Sequence, residues 1–533
     1  MKRNLKAMTA IVLLTAVTLG LGAQAALAQK SGGILKVYSR STPPSGSILE
    51  EATFDTLTPY MGVMNNLIMF DQSKPKDSLD TIVPDLATSW AWNGDKTKLT
   101  FKLREGVKWH DGKPFTAKDV ICTFDLLQGK AKAKLRKNPR KPWFDNLDSV
   151  SMNGDFEVTF NLKRAQPAFP MLLATGYTPI YSCHVSPRDM RTQPIGTGPF
   201  KFVALKLNES IKFEKNENYW KKGRPYLDGI EYTIIKSRST RVLGLIAGKF
   251  DMSFNNDITV PLHADLMSQA PHMICERIAG AAINLLINKD KPPFDNPKIR
   301  QAMVLTLDRK AFVDIISKGE NKIGGAMMPP PQGSWGMPLE YLKTVAGYSP
   351  DVKANREKAR ALMREAGYGP DKRLKMEVAT RNVATYRDPA VILIDQLKDI
   401  YIDATLKTID NSIWHATVAR KDYSVGLNAT AVGTDDPDAN FFENYSCGSQ
   451  RNYTGYCNPE LEKLFVKQSM MSDQAARKKL VWEIDKKLQE DAARPFVYHL
   501  QSYNCHQPYV KGYVSHVNSL YDGWRMEDVW LDK

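Results

Sequence analysis

Residues 83–127 read VPDLATSWAWNGDKTKLTFKLREGVKWHDGKPFTAKDVICTFDLL. Asn93-Gly94 stands between Trp90-Ala91-Trp92 and Leu99-Thr100-Phe101-Lys102-Leu103. A pair that tolerates positive φ predicts a hairpin joining two strands there. In the second strand Leu99, Phe101 and Leu103 fall on one face, Thr100 and Lys102 on the other. Glu105-Gly106 and Asp111-Gly112 mark two further turns. Thr116 with Asp119 three positions on has the form of a capping box, Asp replacing the usual Glu, ahead of the apolar stripe Val120, Phe124, Leu127. The stretch specifies a β-rich substructure that ends in a helix.

On its N-terminal side, Met1 to Ala28 reads as an export leader. Lys2, Arg3 and Lys6 form a basic start, Ala7 to Leu21 is apolar, and Ala26-Leu27-Ala28 offers a cleavage site before Gln29. The apolar stretch is short and has no stop-transfer flank, so a cleaved leader is expected rather than an anchor. The residue directly after the cleavage site is Gln29 and not Cys, which argues against a lipid anchor. The formal charge of +15 falls to +12 once the leader's three basic residues are removed. Basic residues are spread along the chain and no polybasic tract interleaves with aromatics, which argues against nucleic acid as a partner. In an exported chain the six cysteines, Cys122, Cys183, Cys275, Cys447, Cys457 and Cys505, permit disulfides. Cys447 and Cys457 bracket the polar loop SCGSQRNYTGYC, and closing that ring contributes about 2–3 kcal/mol in the loop-entropy description. The other four cannot be paired from sequence.

On its C-terminal side the first half stays strand-rich. Phe156 to Leu162, Ile211 to Glu214 and Ile230 to Ile234 alternate; Thr240 to Ala247 reads as a helix closed by Gly248. Ile283 to Asn288 reads as a buried strand, and Asn296-Pro297 caps a helix. The pattern then changes to strand Lys375–Thr380, helix Pro389–Asp399, strand Ala404–Ile409, helix Ser412–Lys421 and strand Tyr423–Ala429. This βαβαβ order predicts an α/β lobe with a largely parallel sheet. Helices Pro459–Met470 and Gln474–Asp491 follow, and Arg494 to Leu500 reads as a strand returning to the first lobe. The expected division is a leader, 1–28; a first lobe, 29–283 with 495–533, carrying a β-rich insertion over about 60–195; and a second α/β lobe, 284–494.

Ligands of open α/β sheets gather beyond the carboxyl ends of the strands, near helix N-termini. That rule selects Arg381 after the strand ending at Thr380, Asp435 and Asp436 after the strand ending near Ala429, and Trp414 in the first turn of the following helix. A guanidinium, two carboxylates and an indole at one sheet edge suit a small amphoteric solute.

Several segments, taken in order, resemble the family 5 extracellular solute-binding proteins, the dipeptide, oligopeptide and nickel receptors of ABC importers. They are the opening stretch, Pro194-Ile195-Gly196-Thr197-Gly198-Pro199-Phe200, Asn216-Glu217-Asn218-Tyr219-Trp220, Asn296 to Ala302, Asp436-Pro437-Asp438 with Phe441-Phe442, and Asn452 to Glu460. The resemblance implies a two-lobe, periplasmic-binding-protein-like fold of the large type II kind. A subdomain is inserted in the first lobe, and two strands cross between the lobes. It implies a periplasmic receptor that closes over a peptide or peptide-like solute and delivers it to the membrane subunits of an ABC permease, acting as a monomer. It makes Arg381 the partner of a ligand carboxylate. The Asp that meets a peptide's ammonium in the family falls at Gly433 here, and Asp435 takes that role only if the loop is rearranged. Asn65 and Asn66 are the first-lobe contacts the family's early helix implies, and dipeptide-binding relatives carry a cysteine pair in the Cys447–Cys457 region, with a longer loop.

The implied alternatives are a receptor for an opine, an anionic conjugate or a metal chelate and, more remotely, an exported hydrolase. For the hydrolase, no G-x-S-x-G or H-E-x-x-H occurs, and His110 belongs to a W-H-D-G turn. No phosphate-binding loop is present: Gly244 to Lys249 is too short, and Phe250 stands where Ser or Thr is required. His415, His499 and His506 lack metal-ligand spacing. No catalytic residue, metal or cofactor is expected.

Overall fold

The structure is a computed structural model describing residues 29–431 and 433–533, so the expected leader Met1–Ala28 lies outside the described residues. Alternating apolar residues build its sheets. In the insertion, strands Ala87–Trp92, Lys98–Leu103, Glu157–Leu162 and Leu147–Met152 form an antiparallel sheet in that spatial order. Leu99, Phe101 and Leu103 are buried while Lys102 is exposed, so the two-residue period decides which face meets the core. Helix Ala117–Gln128 covers that face and opens with the capping box of Thr116 and Asp119. The hairpin at Asn93 is present, but its left-handed residue is Lys96, at φ 57°, and not Gly94. Asn93 Oδ1 accepts from the amides of Thr97 and Lys98, which widens the turn beyond the two residues that Asn-Gly favours.

The first lobe's sheet has the order Ile34–Ser39, Gly229–Ile234, Ser210–Lys215, Phe200–Lys206, with only the first pair parallel. Ahead of it the Gly196-Thr197-Gly198 segment runs against Val63. A Cβ on Gly196 would sit 1.8 Å from the Val63 carbonyl oxygen, so glycine is required there. His110 closes the same corner: its Nδ1 accepts from the Gly196 amide, and Nε2–H donates to the Gly198 carbonyl. Burial pushes its pKa down to about 4, which keeps the ring neutral.

The second lobe centres on strands Leu374–Arg381, Ile402–Ile409 and Val425–Ala431, parallel to one another as the βαβαβ pattern predicts. Beside Val425–Ala431 run two long strands, Ile274–Ile287 and Phe496–His506, antiparallel to each other. The sheet is therefore mixed, with its antiparallel half made of the strands that cross between the lobes. Register is broken between Ala279 and Ala282, where a bulge bends the crossing pair. Helix Ala384–Leu397 begins five residues earlier than its Pro389 implies. Pro389 is carried inside the helix, whose first turn brings Tyr386 against Arg381 and Arg40. Cys122 is joined to Cys183, Cys275 to Cys505 and Cys447 to Cys457. The Cys275–Cys505 bond links directly opposed residues of the crossing strands.

Candidate ligand-binding site

Arg381 is the last residue of its strand, and its side chain is 3% exposed. It lies over the Tyr386 ring, 4.5 Å from the guanidinium carbon to the centroid. Nη1 donates to Asn411 Oδ1 at 3.3 Å and to Tyr386 Oη at 3.4 Å; Nη2 donates to Asn428 Oδ1 at 2.9 Å and to His415 Nε2 at 3.1 Å. All of these acceptors are neutral, and Nε has no partner. His415 accepts at Nε2 and therefore carries its proton on Nδ1, which donates to Tyr453 Oη at 3.0 Å. Burial, then the neighbouring Arg381 and Arg451, hold its pKa well below that of free imidazole.

Arg381 faces a cavity of about 10 Å³ between the lobes, roughly one water position in this closed arrangement. Ala52, Thr53, Phe54 and Tyr521 line it from the first lobe; Arg381, Tyr386, His415, Ala429, Ala431 and Arg451 line it from the second; and Ala281 comes from a crossing strand. Ala52, His415 and Arg451 also line an adjoining groove of about 320 Å³. A polar layer crosses the cleft on the other side. There Arg40 grips Asp55 through Nε at 2.9 Å and Nη2 at 3.2 Å, and Nη2 also donates to Tyr386 Oη at 3.3 Å. From the second lobe Asn411 Nδ2 donates to Asp55 Oδ2 at 3.0 Å. Burial alone would raise the Asp55 carboxyl, but Arg40 offsets it and holds the pKa below the usual carboxylate value. Beyond this layer lies a groove of about 930 Å³, with Arg40 and Asn411 in its wall.

Of the residues selected from sequence, only Arg381 lines the cavity. Trp414 stands one layer behind, fully buried among Leu286, Ala379, Val418, Tyr423 and Tyr453, and its Nε1 donates to Asn428 Oδ1 at 3.1 Å. It orients the amide that Arg381 grips. Asp436 caps helix Pro437–Tyr445 and receives Arg477 through two nitrogens at 2.9 and 2.8 Å. Asp435 accepts from the Ser334 amide at 2.8 Å, and burial pushes its pKa up to about 6. Asn65 holds the Asp85 carboxylate at 2.9 and 3.1 Å, and Asn66 donates to the carbonyls of Leu173, Thr175 and Thr178. Both asparagines sit inside the first lobe's scaffold.

Gly433 is tightly packed. A Cβ there would lie 2.9 Å from the Trp143 ring and 3.0 Å from Thr175 Oγ1, and its carbonyl accepts from Thr175 at 2.6 Å. Sequence reading missed Arg451, Tyr386, Tyr521 and the Ala52–Phe54 segment. For Arg451 the sequence carries one signal: it is the arginine inside the ring that Cys447 and Cys457 close. Tyr386 is brought beside Arg381 by the first turn of its helix, whereas Tyr521 and the Ala52–Phe54 segment reach the cavity from the first lobe, far from Arg381 in the chain.

The profile described as bacterial extracellular solute-binding proteins, family 5 Middle, matches residues 81–452. The oligopeptide-binding protein AppA of Bacillus subtilis is 28% identical over 81% of this chain and 80% of its own length. A probable di/tripeptide-binding protein of Pseudomonas aeruginosa is 24% identical, covering 90% of this chain and 92% of that protein. Among solved structures, the periplasmic binding protein DppA of Helicobacter pylori, in complex with the peptide STSA, superposes with a TM-score of 0.83. It is 22% identical and covers 95% of this chain and 99% of that one. Among the described residues no helix is long and apolar enough to cross a membrane.

Proposed function

The chain belongs to the bacterial extracellular solute-binding proteins of family 5, and we propose that it captures a carboxylate-bearing, peptide-like small solute between its lobes. In this reading the chain is exported, works as a monomer in the periplasm, hands its ligand to ABC permease subunits and catalyses no reaction. The lobes meet near residues 283 and 495, where the crossing strands pass between them. The observation that carries the reading is Arg381: a buried guanidinium at a strand end, lining a cavity between two lobes, with neutral partners and a free Nε donor. A ligand carboxylate supplies the missing acceptor. Closure removes water from that contact and strengthens it, since the same charges attract more in a low-dielectric site. The relatives named for peptides support the same solute class.

Mass spectrometry of the small molecule released from freshly purified, denatured protein tests this. A carboxylate-bearing compound of peptide-like size is the expected result. Formation of a new product from the compound on incubation with the protein would show chemistry and end the receptor reading.

A further inference from the structure

Cation without matching anion gathers around the cavity. Arg381 has only neutral hydrogen-bond partners. Arg451, also 3% exposed, donates through Nη1 to the Ala52 carbonyl at 3.0 Å, and its Nε lies 3.2 Å from Glu443 Oε1. One shell out, Arg140 stacks 3.5 Å from the centroid of the Tyr177 ring, which packs on cavity-lining Tyr521 at 4.6 Å. Arg140 is 1% exposed and leaves Nε and Nη2 without partners. Glu443, on Arg451, is the carboxylate set against these three buried guanidiniums, and among the described residues no Asp or Glu lines the cavity. Glu50 and Glu51, in the adjoining groove, are taken up by Arg191 and Arg136. Asp55 is taken up by Arg40, and Asp436 by Arg477. At Gly433 close packing against Trp143 and Thr175 leaves no room for a carboxylate side chain.

Burying an unpaired charge is strongly unfavourable, so closed lobes call for an anion here. The surplus is two positive charges. An ammonium group brought into the same chamber would add to the imbalance and find no unpaired carboxylate to meet it.

We propose that the solute is a dianion with its amino group masked, of the N-acylated dicarboxylate class, with one carboxylate on Arg381 and the second acidic group on Arg451. This rests on the receptor reading above and narrows its ligand. Gln in place of either arginine keeps a hydrogen-bond donor while removing the charge.

The test is calorimetric titration of the exported chain, freed of bound solute, with three probes: L-alanyl-L-alanine, its N-acetyl derivative and its N-succinyl derivative. The expected order is succinyl tightest, acetyl next and the free dipeptide weakest, with at least about a tenfold span between the first and last. Arg451→Gln, checked for native circular dichroism, is expected to erase the advantage of succinyl over acetyl. Should that variant not fold, the order on the unaltered protein decides alone. A free dipeptide that binds as tightly as the succinyl form overturns the dianion proposal and leaves the receptor reading standing. Binding of none of the three by folded protein overturns the dianion proposal, and the receptor reading then rests on the mass of the compound released from the purified protein.

Discussion

Two buried arginines at the edges of the second lobe, Arg477 and Arg381, teach different things although both are almost wholly removed from solvent. Arg477 is saturated: Asp436 takes two of its nitrogens, Asp438 accepts at 3.1 Å and Gln468 at 2.9 Å. Asp438 is further held by Gln166, Gln468 and Ser469. Arg381 has no carboxylate partner and one idle donor beside a cavity. A buried charge whose every bond is answered within the protein holds structure; one left unanswered at a cleft is available to a ligand. Burial alone does not separate the two.

The largest expected effect lies on the saturated side. Arg477→Ala strands two carboxylates in the interior and should cost about 3–5 kcal/mol, read as a fall in the denaturation midpoint. A change below about 1 kcal/mol would show that the cluster is not what it looks like. Next, replacing Cys447 and Cys457 together by Ser opens a ring whose cysteines are ten positions apart and should lower stability by about 2–3 kcal/mol. Because that ring carries Arg451, ligand affinity should fall in the same variant, which a purely structural ring would not produce.

A third contrast depends on pH. His415 stays neutral in the folded chain, while the unfolded chain takes up a proton there once pH falls below 6.5, its ordinary value. The folded state therefore loses stability on acidification. Relative to the unaltered protein, His415→Gln should gain about 2 kcal/mol between pH 7 and pH 5, measured by denaturation at both. An unchanged gap would mean that the ring is protonated in the folded state, and the Arg381–His415 hydrogen bond would have to be redrawn. The smallest effect should come from the carboxylate pair in the loop. Arg381→Ala is expected to weaken the solute by at least about tenfold, and Asp435→Asn by less than about twofold. Equal losses would put Asp435 in the site and dissolve the distinction between the two regions.

The fold was readable because its instructions are local. Alternation in Lys98–Leu103, the cap at Thr116 and the βαβαβ run each depend on a few neighbouring residues. The position of Arg381, at the end of a strand, was readable for the same reason. The pairing of Asp436 with Arg477 was not, because Arg477 lies 41 positions away on another helix. An Asp-Asp-Pro-Asp run serves equally as a helix cap or a ligand contact until that partner is known. Tyr521 and Ala52 reach the cavity from the first lobe, a long-range juxtaposition that no short-range pattern encodes. Lys96 in the hairpin and Pro389 within its helix mark the other kind of miss, where hydrogen bonds from Asn93 and packing of Tyr386 override residue preference.

The Cys275–Cys505 bond ties opposite strands whose cysteines are 230 positions apart, so everything between them hangs from the first lobe as a covalent lasso. A protease that cuts once anywhere along the intervening chain leaves a single molecule, since both new ends stay fastened to the same knot. Loosening of the distal lobe, as when it swings to admit or release cargo, is likewise kept from unravelling the proximal sheet.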